Sequence, residues 1–302
     1  PSDLLPLSPP GSQHLRALSL TEDDVAVLTA RGKRTALFAP TKPSVGARAY
    51  IAHGESLEID QAYKCRIRTP WWRVPLQQPA DLLITYMNAD TVALCSNEAR
   101  VRHLNSVHGL FLTEDVRDID PVYLALASCG SVTRLGAEIV GRSYGGGLLK
   151  VEPREAAQLP VPSPDLVRSC ASELGTLLPR AVELLRQGRR DEVQTSVDEI
   201  FAPHLDLDAE LLLGLVQALG RRVVERLVAA ATHVVREAGL DVGALPGGGV
   251  AARIAAATCG QGQRGHGHDR CGLHGVTQGA LLLEQGYSAD VGAYHPRDAT
   301  SR

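Results

Sequence analysis

The sequence predicts an α+β fold: a short-stranded mixed β domain, then a helical tail, then a disordered C-terminus. Three observations carry that expectation. Between residues 63 and 112 the apolar residues fall in short runs split by turn formers, the pattern of short strands. From Val122 onward they recur three or four apart, the period of a helix. Beyond residue 243, glycine, histidine and alanine dominate, and such a composition buries too little surface to order itself. With 302 residues and 44% hydrophobic content there is material for one large domain or two modest ones. The expected divisions are 1–164, 165–242 and 243–302.

Taken in order, residues 1–45 hold proline-rich ends around one short helix, since Ser19 to Glu22 fits the capping pattern S-x-x-E ahead of Val25 and Leu28. Gly46 to Glu58 is expected to supply Tyr50, Ile51 and a turn. Lys64, Arg66 and Arg68 alternate with Tyr63, Cys65 and Ile67, which predicts a strand with its three cations on one side. Further strands are expected at Leu82 to Thr85, Val92 to Cys95 and Gly109 to Thr113. Val122 to Ala127 and Val132 to Val140 read as helices, the glycines at 145–147 as a turn, and Leu148 to Val151 as a strand.

The cluster Pro160-Val161-Pro162-Ser163-Pro164 marks a boundary. After it Leu166, Val167, Cys170, Leu174, Leu177 and Leu178 share one helical face. Helices over Asp191 to Phe201 and from Asp208 to about Val235 would pack beside it as antiparallel neighbours. No run of eighteen apolar residues and no basic-then-apolar leader occurs, which argues against a membrane span or a secreted protein and for a cytoplasmic one. Cys65, Cys95, Cys129 and Cys170 are widely spaced in apolar surroundings, as reduced thiols in a core would be.

The stretch from Tyr63 to Pro75 concentrates function. Lys64, Arg66, Arg68 and Arg73 and both tryptophans, Trp71 and Trp72, lie in these thirteen residues without an acid, although the whole chain carries a formal charge of -3. Cations with interleaved aromatics suit phosphates and bases. A solvated edge strand with two core tryptophans accounts for the same residues equally well. A second candidate set is Asn97, Asn105, Ser106 and His108, because asparagine presents a donor and an acceptor to adenine's major-groove edge while serine and histidine hold phosphates or base edges. The competing reading of Asn105-Ser106 is a turn. A third is Arg142, Tyr144 and Lys150 around Gly145-Gly146-Gly147, a phosphate clamp or simply a sharp link.

Two C-terminal features carry less. Gly260-Gln261-Gly262-Gln263-Arg264-Gly265 satisfies G-x-G-x-x-G, but it follows an alanine-rich run and leads into a Gly/His tract, a context that rejects nucleotide binding. Cys259, His266, His268, Cys271 and His274 do not reproduce zinc-ligand spacings, so no metal is expected.

Four blocks in a fixed order resemble the target-recognition region of N6-adenine DNA methyltransferases of the TaqI-like gamma class, the enzymes of restriction-modification systems. They are YKCRIRTPWWRVP, then PADLLITYMNADTVALCSNEARVRHLNSVHGLFL, then GRSYGGGLLKVEPREAAQLPVPSP, and a helical close at Val197-Asp198-Glu199-Ile200, spanning roughly residues 20–228. The resemblance implies double-stranded DNA as partner, with Lys64, Arg66, Arg68 and Arg73 on phosphates, Trp71 or Trp72 against sugar or an unstacked base, and Asn97, Asn105 and His108 at base edges. It also implies S-adenosylmethionine as cofactor and a restriction endonuclease as associate. The glycine turn that holds S-adenosylmethionine is missing, as is the Asn/Asp/Ser-Pro-Pro-aromatic motif, since Gly11 follows Ser8-Pro9-Pro10. With Pro1 as its first residue, the chain is expected to be a fragment without its catalytic domain, binding no cofactor itself and inactive alone. The alternative is a type I restriction specificity-subunit-like DNA-binding module, against which stands the lack of any repeated block.

Overall fold

A computed structural model describes residues 3–205, 214 and 216–227. In chain order the elements are β1 (Leu4–Pro6), α1 (Glu22–Ala30), β2 (Ala36–Phe38), α2 (Val45–Ser56), α3 (Tyr63–Arg66), β3 (Leu82–Thr85), β4 (Met87–Asn88), β5 (Leu94–Ser96) and β6 (Val107–Leu110). There follow α4 (Pro121–Ala127), α5 (Ser131–Val140), β7 (Arg142–Tyr144), β8 (Leu148–Lys150), α6 (Pro153–Ala156), α7 (Pro164–Ser169), α8 (Ala171–Arg186) and α9 (Arg190–Phe201). The expected α+β class, with short strands first and helices after, is what the structure shows.

The strands form three small antiparallel sheets, ordered β1-β2, β5-β3-β6 and β4-β8-β7. β3 organises the middle one because all four of its residues are buried. Successive strand side chains point to opposite faces, and here each face has its own core. Leu82 and Ile84 pack with Leu94, Leu126, Leu149 and Leu174, whereas Leu83 joins Leu15, Leu20, Cys95, Val101 and Val107. Each such leucine contributes about 1.5–3 kcal/mol on burial. Gly109 of β6 faces this second cluster so closely that a Cβ there would lie 2.3 Å from the His103 ring and 2.8 Å from the Ala80 Cβ. Burial, first, and the neighbouring His108 hold the His103 imidazole below its ordinary pKa.

The larger core does not stop at the proline cluster. Leu174, Leu177, Ala181 and Leu184 of α8 and Val193, Val197 and Phe201 of α9 belong to the cluster that contains Leu82, Ile84 and Leu94. The chain divides instead into one unit of Pro1–Tyr144 with Leu148–Leu219 and another of Gly145–Gly147 with Gly220–Arg302. Within the first, α9 is tied to α5 by a buried polar network. Asp198 accepts from the Ser131 amide at 2.8 Å and from the Ser131 hydroxyl, and Gln194 Nε2 donates to that hydroxyl at 2.7 Å. In the second, the described residues are the glycine turn and 220–227, which are helical.

Several local expectations are corrected. Residues 63–66 form one helical turn and no strand, because the Ala62 carbonyl accepts from the Cys65 and Arg66 amides at 2.8 and 3.0 Å. Six alternating residues satisfy a two-residue period whether or not a neighbouring strand exists to ladder with them. Residues 45–56 are helical, capped by the Ser44 hydroxyl on the Ala47 amide at 3.1 Å. The helix after Ser19 starts two residues later than the capping pattern, with a reciprocal box between Thr21 and Asp24. The face from Leu166 to Leu178 is shared by two helices, α7 and α8, that meet at Cys170. All four expected thiols are free of disulfides; Cys95 and Cys170 are buried, as expected of core thiols, while Cys65 and Cys129 are only partly so. Helix is described at 216–227 within the expected 208–235, while the expected disorder of 243–302, the G-x-G-x-x-G segment and the Cys/His cluster lie outside the described residues.

Candidate nucleic-acid interface

Residues 31–75 contain nine lysines and arginines against three acids, a local charge of +6. None of these nine cations forms an ion pair among the described residues. Packing places the segment. Phe38 of β2 meets Tyr50 of α2 edge-on with ring centres 5.0 Å apart, and the Ser44 amide donates to the buried Asp3 carboxylate at 3.3 Å. Trp71 lies against α2 at Gly54, where a Cβ would stand 2.8 Å from the indole, and its Nε1 donates to Glu55 at 3.1 Å. Trp72 meets Trp71 edge-on at 5.9 Å. Trp71 therefore anchors the basic stretch to α2, and of the two indoles expected against sugar or an unstacked base it is the one already engaged by the fold. Around that anchor Lys64, Arg66 and Arg73 are exposed and Arg68 is half-exposed, with Tyr63 at 65% and Ile67 at 62% exposure between them.

The asparagine set divides. Asn97 is 2% exposed, and both ends of its amide are occupied: Nδ2 donates to the Ala80 and Val101 carbonyls at 2.8 and 2.9 Å, and Oδ1 accepts from the Val101 amide at 3.0 Å. It closes a turn and has no edge left for a base. His108 Nε2 is bonded to the Val151 carbonyl at 2.8 Å, and its ring sits edge-on to Tyr86 at 5.3 Å. Those positions are structural, a correction to both. Asn105 and Ser106 form the turn before β6, as the competing reading held, yet Asn105 is exposed and its side chain is unbonded among the described residues.

The β7–β8 hairpin is self-contained. Arg142 pairs with Glu155, and Lys150 pairs with Glu152 at 2.7 Å while lying 5.4 Å from the Tyr86 ring centre and 5.2 Å from that of Tyr144. The Glu152 carboxylate, before Tyr86, raises the Lys150 pKa, and Lys150 in turn lowers that of Glu152. At the turn, the Gly147 carbonyl accepts from Arg226. A phosphate clamp at this loop is thus corrected: both flanking cations already hold carboxylates, although Arg142 and Tyr144 both stay exposed.

Sequence reasoning passed over one polar cluster. Arg16, Arg134 and Arg190 converge although 118 and 174 positions separate the last two from the first, and no local pattern announces such a meeting.

Fold and interface together define a mixed α+β module bearing an unpaired cationic lobe. Residues 2–202 match the family model of the C-terminal domain of Type II methyltransferase M.Eco57I, and the chain belongs to that family. It is 37% identical over 107 residues to Type II methyltransferase M.XamI of Xanthomonas campestris pv. amaranthicola, covering 34% of this chain and 19% of the relative. To Type II methyltransferase M.AccI of Acinetobacter calcoaceticus it is 30% identical over 139 residues, 45% of this chain and 25% of the relative. The match thus spans a fifth to a quarter of those relatives' length. No solved structure matches.

Proposed function

We propose that this chain is the DNA-recognition portion of a site-specific adenine-N6 DNA methyltransferase of a restriction-modification system, and that residues 31–75 grip the duplex. The observation that carries this reading is the lobe itself: nine cations without a carboxylate partner among the described residues, in a chain of net charge -3. Internal pairing would have left nothing for phosphates. Lys64, Arg66, Arg68 and Arg73 take phosphate oxygens, the exposed Tyr63 and Ile67 rest on sugar or base faces, and Asn105 with Ser106 reads a base edge.

The family assignment and the short coverage of both relatives support placing methyl transfer in a longer protein. There the S-adenosylmethionine would be held by a catalytic domain preceding this region, with the target adenine flipped into it. A companion endonuclease and a cytoplasmic location follow from the same reading. No helix among the described residues is long and apolar enough to cross a membrane, which is compatible with that location.

Anisotropy titration of the full chain with duplex DNA at several salt concentrations tests the interface. Binding should weaken linearly in log salt, and the double variant Arg66→Ala, Arg68→Ala should reduce the magnitude of the slope by about 1 for each phosphate contact removed. Asn105→Ala should leave the slope alone and relax the preference between sequences. Unchanged binding in both variants overturns the assignment.

A further inference from the structure

A small enclosed space, of about 10 Å³, lies inside the first unit where the segment Arg16 to Leu18, residues 91–94, the end of α4 and the starts of α5 and α9 meet. That is room for about one water-sized body. Its polar lining is dominated by donors. Arg16, Arg134 and Arg190 all border it, with Thr91. Arg16 donates to neutral acceptors, the Thr91 carbonyl at 2.6 Å and Asn88 Oδ1 at 2.9 Å. Arg134 and Arg190 approach Asp90, a half-exposed carboxylate, at 3.7 and 3.5 Å, and Arg134 reaches Asp191 at 2.9 Å.

Two groups facing this space are more than nine-tenths buried and lack a partner: Arg134, 6% exposed, through Nε, and Thr91, 3% exposed, through Oγ1. A buried donor left alone costs about 1–3 kcal/mol, and more when it is charged. The lining itself holds no carboxylate; Asp90 and Asp191 reach Arg134 and Arg190 from outside it, two acids for three guanidiniums. Burial pushes the Cys129 thiol up in spite of Arg190 and Arg134, so it stays neutral. Burial, first, and then the neighbouring Arg190 pull Arg16 down to about 10, while Asp90 pulls the other way.

We propose that this space is a binding site for a single monatomic anion of the halide class, held by Arg134 Nε and Thr91 Oγ1 within the field of Arg16 and Arg190. A water molecule would satisfy the two donors, but it would leave three guanidiniums beside only two carboxylates. A phosphate or sulfate exceeds the volume. The occupant joins the segment between β4 and β5 to α5, so it ties the strand-bearing and helical parts of the unit together.

The test does not depend on DNA binding. Crystals of the full chain grown in bromide should show an anomalous peak within hydrogen-bonding reach of both Arg134 Nε and Thr91 Oγ1. In solution, replacing glutamate by chloride or bromide at constant ionic strength should raise Tm to a plateau, as a ligand bound only by the folded state does. Thr91→Val should abolish that rise, and Thr91→Ser should retain it. A cavity without anomalous signal, or equal Tm in glutamate and halide, overturns the proposal, and the crystallographic result stands even if Thr91→Val does not fold.

Discussion

Asn97 and Asn105 are the same residue type eight positions apart with opposite fates. Burial with three hydrogen bonds makes Asn97 part of the turn that carries Val101. Asn97→Ala would leave the Val101 amide and two carbonyls without partners, so we expect a loss of about 1–3 kcal/mol in urea denaturation, with no change in which DNA sequence is preferred. A specificity change at undiminished stability would contradict that role. Asp198 makes a second prediction at this scale. Burial is the main influence on its carboxyl and raises the pKa, with the Ser131 hydroxyl and amide pulling in the opposite direction. A folded value above the unfolded one, about 3.9, gives a contribution that is complete below that pH and is lost as pH rises through the folded value. Asp198→Asn removes the titration. The stability of wild type minus variant should therefore decline as pH climbs through this window, and a difference that grows with pH would refute the assignment.

At the scale of elements, α2 and α3 show why the basic stretch keeps its shape without a sheet. The one-turn α3 has too few hydrogen bonds to stand alone. Trp71 supplies what it lacks by lying on Gly54 and bonding Glu55. In Trp71→Ala, trypsin should cleave after Lys64, Arg66 or Arg68 several-fold faster, while the core of β3 and α8 unfolds at its usual denaturant concentration; equal cleavage rates would show that the indole does not secure this stretch. The strand at 82–85 was legible as an unbroken apolar run and the helices α4, α5 and α9 as apolar residues at helical spacing, whereas the strand expected at Gly109 to Thr113 lies at Val107–Leu110. The α3 segment was not legible, because six alternating residues fit a strand and a single helical turn alike. Helix α2 escaped for another reason: Ala47 and Ile51 are its only buried residues, so it has almost no apolar stripe to read.

On the scale of the whole chain, one core links β3, β5 and β8 to α8 and α9. Ending the chain at Pro164 would strip Leu174, Leu177, Val193, Val197 and Phe201 from Leu82, Ile84 and Leu126. Large-to-small changes at single core leucines already cost about 2–5 kcal/mol, of the order of a domain's total stability. The truncated chain should therefore show no cooperative thermal transition in near-UV circular dichroism, whereas a folded 1–164 fragment would restore the boundary at the proline cluster. The order of the four sequence blocks was enough to expose the kinship with methyltransferase C-terminal domains. The arginine meeting at Arg16, Arg134 and Arg190 left no trace in it, since its members come from three distant parts of the chain.

By itself the sequence determined the α+β class, most of the helices and the strands β3, β5 and β8, the family and the concentration of cations between residues 63 and 75, all properties of neighbouring residues or of their order. Only the tertiary structure decided which polar groups remain available. Trp71, Asn97, His108, Arg142 and Lys150 found partners inside the fold, whereas Lys64, Arg66, Arg68 and Arg73 hold no carboxylate among the described residues. The reason is physical: a hydrogen bond or ion pair depends on separations of about 3 Å in space, and those are set by packing between segments far apart in the chain.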